Sequence, residues 1–256
     1  MITLNRDLIV FAAVGSVIVL FLVIPVITCL AEGGAYISEA ASDVDALDSI
    51  YVGFHAGTVC SLVSLLFGTP LAYFLSRWRG SLSSFIQSII EIPLAIPHSV
   101  AGIMLLLAYS SRSPIGSLLS NVGLIIEDSY WGIVFAMLFV SSPIYITTVK
   151  AGFDSIDVEI ENVARTLGAS RIKVFLEVTL PLSLKHILAG FILTLARAVS
   201  EVGAVMVIAY YPKIASVLVI ERFLGYGLRS ALALSALLAL ISLTIFVILR
   251  LIIRWK

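Results

Sequence analysis

Six long apolar stretches, nearly free of charge, dominate this sequence: 8–31, 50–76, 92–111, 130–149, 187–211 and 231–253. A helix needs about 20 apolar residues to cross the hydrocarbon core of a bilayer, and each stretch is long enough. Lipid cannot satisfy backbone N–H and C=O groups, so a spanning segment must be a helix or part of a closed barrel. These runs are too long and too continuously apolar for barrel strands. Of the 256 residues, 60% are hydrophobic and 12% charged. An ordinary soluble domain is about 45–50% apolar and about 25% charged, and a globule always leaves much of its surface in water. The expectation is an all-α integral membrane protein with six transmembrane helices, forming one domain over residues 1–256. The first stretch is read as a retained helix, because it is longer than a signal-peptide core and lacks a small-x-small cleavage site before Glu32.

The basic residues orient the spans, since Lys and Arg are retained on the cytoplasmic side. With the N-terminus inside, eleven fall in cytoplasmic segments: Arg6, Arg77, Arg79, Lys150, Arg165, Arg171, Lys173, Lys185, Arg250, Arg254 and Lys256. Four fall outside: Arg112, Lys213, Arg222 and Arg229. Arg197 lies within a span. This places both termini in the cytoplasm of a multi-pass protein of the cell membrane. Tyr109, Tyr130, Trp131, Tyr210 and Tyr211 are expected at the outer interface, and Trp78 and Trp255 at the inner one. Cys29 and Cys60 lie inside apolar runs and are read as small buried side chains.

The long internal segment, about 150–186, is not composed like a linker. Ile160, Val163, Ala164 and Leu167 recur at helical spacing and make one apolar stripe. Asp157, Glu159 and Glu161 fall where the helix dipole favours anions. Gly168 is placed to cap the helix in the left-handed conformation. Ser170 can cap a second short helix, 171 to about 178, which Pro181 is expected to end. Such a stripe can lie on lipid, fold onto the chain's own spans, or dock into another protein.

This segment resembles the EAA loop of ABC importer permeases: EAA, three residues, Gly, nine residues, Ile, one residue, Leu-Pro. Aligned on Gly168, the EAA positions hold Asn162, Val163 and Ala164. Residues 169–177 supply the nine, and Val178, Thr179, Leu180 and Pro181 follow. The leading Glu is Asn162 here, with Glu161 adjacent. The resemblance implies a type I-like ABC importer permease fold. Its coupling helices would engage an ATP-binding subunit through Ile160, Glu161, Asn162, Val163, Ala164, Leu167, Gly168 and Ala169. Over nearly the whole chain the nearest resemblance is to molybdate/tungstate permease subunits, in FGTPLAY, IPHSVAGI, FVSSPIYI, NVARTLGAS, LPLSLKHILAG and ARAVSEVGAVMVIAYYP. Sulfate permeases share a looser form. The implied assembly is a homodimer with two ATP-binding subunits and an external oxyanion-binding protein. ATP and Mg would belong to the partner subunit, and this chain would bind no cofactor, metal or nucleic acid.

Arg197 and Glu201 are charges near the middle of the fifth stretch. A charge at that depth costs about 2.5–3.5 kcal/mol on the insertion scale, so both should face protein and be paired. The order Arg then Glu is the poorer one for a local i,i+4 pair, and Glu91 is one alternative partner. The charges either line the translocation pathway or its gate, or fix helix packing. Pro93 and Pro97 should break the third span, which would let Pro97, His98 and Ser99 meet substrate. Gly53, Gly57, Gly68, Gly190 and Gly203 are expected to permit close helix packing. His55 and Pro143 are assigned no role.

The sequence contains no GxxxxGK[ST] phosphate loop and no nucleophile or metal set suited to chemistry, so the chain is read as a transport component and not an enzyme. A secondary transporter would show an internal repeat with paired broken helices, and only one broken helix is evident.

Overall fold

The computed structural model describes residues 6–78 and 80–254. Arg79, Trp255 and Lys256 lie outside the described residues. The helices run in chain order: α1 Arg6–Gly34, α2 Ile37–Ala41, α3 Val44–Arg77, α4 Ser81–Ala95, α5 His98–Tyr109, α6 Pro114–Asn121, α7 Tyr130–Asp154, α8 Val158–Thr166 and α9 Arg171–Val174. A π-turn, Phe175–Thr179, leads into α10 Leu180–Leu182, then α11 Leu184–Val199, α12 Gly203–Ile208, α13 Ala215–Tyr226 and α14 Leu228–Arg254. Among the described residues, four helices are long and apolar enough to cross a membrane, and the number is six if each of two bent pairs counts as one span.

The chain divides into two compact units. The first comprises residues up to 47 with 219–243. In it, Gly33 lies so close to α14 that an added Cβ would come 2.5 Å from Ala236 Cβ. Asp43 accepts a 2.5 Å bond from Arg222 Nη2, and the Arg229 guanidinium sits 5.0 Å from the centre of the Tyr36 ring.

The second unit, residues 48–218 with those after 243, carries the functional residues. Here α3 and α7 run side by side in the same direction. Three bonds at successive levels show this: His55 Nδ1 to Tyr130 Oη at 2.7 Å, Thr69 Oγ1 to Tyr145 Oη at 2.7 Å, and Ser76 Oγ to Asp154 Oδ1 at 2.5 Å. Two neighbouring helices with the same direction need a return crossing between them, and α4 with α5 supplies it. Ser83 Oγ donates to Leu75 O near the end of α3, and Tyr109 at the end of α5 meets Phe135 early in α7.

That return crossing is bent by 115°. Only one of the two prolines makes the break. Ile96 is extended (φ −87°, ψ 133°), as steric conflict with the ring of Pro97 requires. Pro93 stays inside α4, so the sequence expectation that both prolines interrupt the span is corrected.

The fifth stretch also crosses in two pieces, not as the single helix expected over 187–211. α11 rises from the Gly152 level, where an added Cβ would strike the His186 side chain. It ends at Val199, and α12 continues until Ile208 O accepts from Asp128 N. Tyr211 lies beyond both. Buried side chains from α3, α5, α7, α11 and α12, among them Cys60, Leu105, Met137, Ala198 and Val205, form one core. Gly57, Gly68, Gly190 and Gly203 each sit where a side chain would press on a neighbouring helix, whereas Gly53 makes ordinary contact with Ile214.

Candidate functional site: a braced loop helix and a buried charge cluster

The segment after α7 folds from local signals. Asp157 Oδ1 accepts from Glu159 N and starts α8. At the other end Gly168 has φ +93°, Gly168 N donates to Arg165 O, and Ala169 N donates to Ala164 O. These two bonds form a Schellman cap, which favours glycine at the left-handed position. Ser170 Oγ then accepts from Lys173 N, as expected of a second cap. The second helix differs from its expected course. Its regular part stops at Val174, and helical turns continue through Pro181 to Leu182. Proline in a regular helix removes a hydrogen bond and presses on the carbonyl four residues back. The wider π-turn immediately before it accommodates that ring.

α8 presents its apolar stripe outward. Ile160, Val163 and Leu167 are 47%, 57% and 83% exposed, and Ala164 is half-buried. The stripe is therefore not folded onto the chain's own helices. Asn162 and Ala169 are half-buried, and Asn162 lines a cleft of about 760 Å³ together with Tyr73, Arg77, Trp78, Arg165 and Arg171.

Behind the stripe lies a bracing network that the sequence reading missed. Glu161 is buried and faces α3. Its Oε1 accepts from Arg77 Nη2 at 2.7 Å, Arg77 Nε at 3.0 Å and Thr179 Oγ1 at 2.8 Å. Its Oε2 accepts from Tyr73 Oη at 3.2 Å. Arg77 Nη1 also donates to Phe153 O and Ser76 Oγ. One carboxylate thus ties α8 to the end of α3 and to the π-turn. Arg77 had entered the sequence argument only as an orienting charge. The available signal was an acid next to an apolar stripe and an arginine at the last turn of a span.

Burial pushes the Glu161 carboxyl up, but the Arg77 and Thr179 hydrogen bonds, the Arg77 charge and the Tyr73 hydroxyl outweigh it and hold the group below its ordinary value. A depressed carboxyl contributes stability above its unfolded pKa and loses it as pH falls through the folded one. The bracing should therefore be intact from neutral pH down to about 5 and weaken below about 4. Hydrogen exchange of the α8 amides, corrected for intrinsic rates, should show protection lost only in that acid range.

The second cluster lies between the Gly190 level, packed on Tyr145, and Ile208. Glu201 is 1% exposed. Its Oε2 accepts from Arg197 Nη2 at 2.9 Å and lies 2.8 Å from His98 Nδ1, while Oε1 accepts from Ala204 N at 2.9 Å. Arg197 Nη2 also lies 2.8 Å from His98 Nδ1. The unfavourable Arg-to-Glu order does not apply, because α11 ends at Val199 and Glu201 turns back beyond it to cap α12. Glu91 is not the partner, since it accepts from Gln87 Nε2 at 3.0 Å. Gly203 makes the meeting possible, as an added Cβ would stand 2.7 Å from His98 Cβ. Of the five expected pathway residues, His98, Arg197 and Glu201 are in contact, Pro97 makes the α4–α5 break, and Ser99 is exposed beside His98.

Comparison with known proteins identifies the family. Residues 64–255 match the family described as "Binding-protein-dependent transport system inner membrane component". The chain is 42% identical to a molybdate/tungstate transport system permease protein of Pyrococcus abyssi, covering 94% of this chain and 93% of that protein. It is 40% identical to the protein of the same name from Thermococcus kodakarensis, covering 96% and 97%. Among solved structures, a bacterial alginate ABC transporter in complex with alginate pentasaccharide-bound periplasmic protein aligns with a TM-score of 0.68 at 18% identity, over 96% of this chain and 94% of that one. At that identity the likeness concerns the fold. The match over most of the chain, the close relatives and the bundle of apolar helices place this protein in the binding-protein-dependent transport system inner membrane component family, as a multi-pass permease subunit of an ABC importer.

Proposed function

We propose that the chain is the membrane half of an importer for molybdate or tungstate, working as a homodimer with two copies of a separate ATP-binding subunit. An external oxyanion-binding protein would load it. ATP and Mg belong to the partner subunit, and this chain holds no cofactor. Both termini and α8 face the cytoplasm in this reading, which the eleven-to-four division of basic residues supports.

The observation that carries the proposal is the exposed Ile160–Val163–Leu167 ridge held rigid from behind by Glu161 and Arg77. An apolar ridge in water is costly, and a braced one is suited to transmitting force. The ridge is the docking surface for the ATP-binding subunit, with Asn162, Ala164, Gly168 and Ala169 shaping it. The His98–Arg197–Glu201 cluster, with Pro97 and Ser99, lines the translocation pathway.

The test is uptake into vesicles carrying the permease, its ATP-binding subunit and the binding protein. Uptake should require ATP inside and should be displaced by molybdate and tungstate at concentrations at least about tenfold below sulfate, a difference of about 1.4 kcal/mol. Stronger displacement by sulfate would make this a sulfate permease. Uptake on an ion gradient with no ATPase bound would make it a secondary transporter.

A further inference from the structure

The pathway reading leaves a physical difficulty. A cation deep in a channel attracts a dianion strongly where the dielectric is low, and a site that holds its cargo tightly does not pass it on. The cluster's own geometry meets that difficulty. Glu201 is almost wholly buried, and its Oε2 is shared by Arg197 and His98. By contrast 25% of the Arg197 side chain and 46% of the His98 side chain remain exposed. Ser99 and Ser200 are exposed beside them. The carboxylate is thus turned inward and the donors outward, and with His98 neutral the cluster carries no net charge.

We propose that Glu201 is a built-in counter-ion that keeps Arg197 and His98 a weak, quickly released site for the permeant oxyanion. This rests on the pathway assignment of the cluster. Arg197 is the residue that meets the anion, through N–H groups on its open side. Glu201 is a positioning residue: it holds the guanidinium in place and subtracts from its pull. His98 tunes the balance, donating to Glu201 when its Nδ1 carries the proton and accepting from Arg197 when it does not. The cluster would select for a small, multiply charged anion, because only such a ligand competes with a fixed carboxylate for the same guanidinium.

The experiment uses the whole complex, with tungstate as probe. It measures three quantities: copurification of the ATP-binding subunit, tungstate retained at equilibrium dialysis, and the uptake rate at saturating tungstate. Glu201→Gln should raise retention affinity about tenfold or more, by removing one opposing charge a few ångströms away, and should slow uptake. A merely structural lesion would lower both. Adding Arg197→Gln to Glu201→Gln should abolish the extra retention. If Glu201→Gln does not assemble, His98→Lys decides, since a cation at that half-exposed position should shift retention and rate the same way. An assembled variant that retains tungstate no better than the parent overturns the counter-ion role. In that event, lost uptake with normal assembly in Arg197→Gln would leave the pathway assignment standing. Undiminished uptake in Arg197→Gln would overturn both.

Discussion

Replacing Glu161 with alanine is expected to uncouple the transporter, reducing uptake at least about tenfold while the four long helices stay folded. The change removes one partner of an ion pair whose side chains are only 16% and 8% exposed. Arg77 would be left beside the buried Phe153 carbonyl without a directly bonded carboxylate, Asp154 being reached only through Ser76, and Thr179 and Tyr73 would lose their acceptor. Breaking such a pair costs about 3–5 kcal/mol, far more than its net contribution relative to an apolar substitute. That cost is local, so α8 should detach from α3 before the bundle unfolds. Glu161→Gln should be milder, since its amide oxygen still accepts from Thr179. Arg77→Ala should mimic Glu161→Ala, and the double variant should cost less than the two single losses added together. ATP hydrolysis and uptake measured on the same vesicles would check this. Unchanged uptake in Glu161→Ala would show that the brace is dispensable.

Placing charge on the ridge should have the opposite signature. Val163→Asp with Leu167→Asp is expected to lower the affinity for the ATP-binding subunit by at least about 30-fold, the loss of even one central anchor costing about 2 kcal/mol. The permease itself should be little affected, because both side chains point away from it at 57% and 83% exposure. Surface changes of this kind usually alter stability by about 0.5 kcal/mol or less. Copurification should therefore fail while the thermal midpoint of the isolated permease stays put. Intact copurification would place the ATP-binding subunit elsewhere.

How much of this was legible depended on the range of the interaction. The ridge, the Gly168 cap and the Ser170 cap are set by neighbours within one or two turns, and periodicity with cap chemistry revealed each of them, whereas Asp157 was legible only as an acid favoured by the helix dipole and its role in starting α8 came from the structure. The Pro97 break is equally local. The Glu161–Arg77 brace joins residues 84 apart, and local pattern carries no information about which buried acid meets which base. The meeting of His98 with Glu201 spans 103 residues and depends on Gly203 allowing two helix ends to touch. The interruption at Ser200–Val202 contains no proline, and what stabilises it is the Glu201 bond to Ala204 N, which exists only once the chain has turned. The π-turn ahead of Pro181 was illegible for a related reason, since its five residues are too few for a wider period to stand out from the helical one.

The 70° elbow at Ser183 has a mechanical consequence. On one side of it lies the short arm that Thr179 anchors to Glu161, and on the other the α11 shaft leading to Arg197. The shaft from Leu184 to Arg197 measures about 20 Å at the helical rise, so a tilt of about 10° at the elbow swings the guanidinium by about 3.5 Å. That displacement exceeds the length of its 2.9 Å bond to Glu201, so under the proposed coupling and pathway roles a small tilt of the arm would be enough to re-aim the guanidinium proposed to meet the anion.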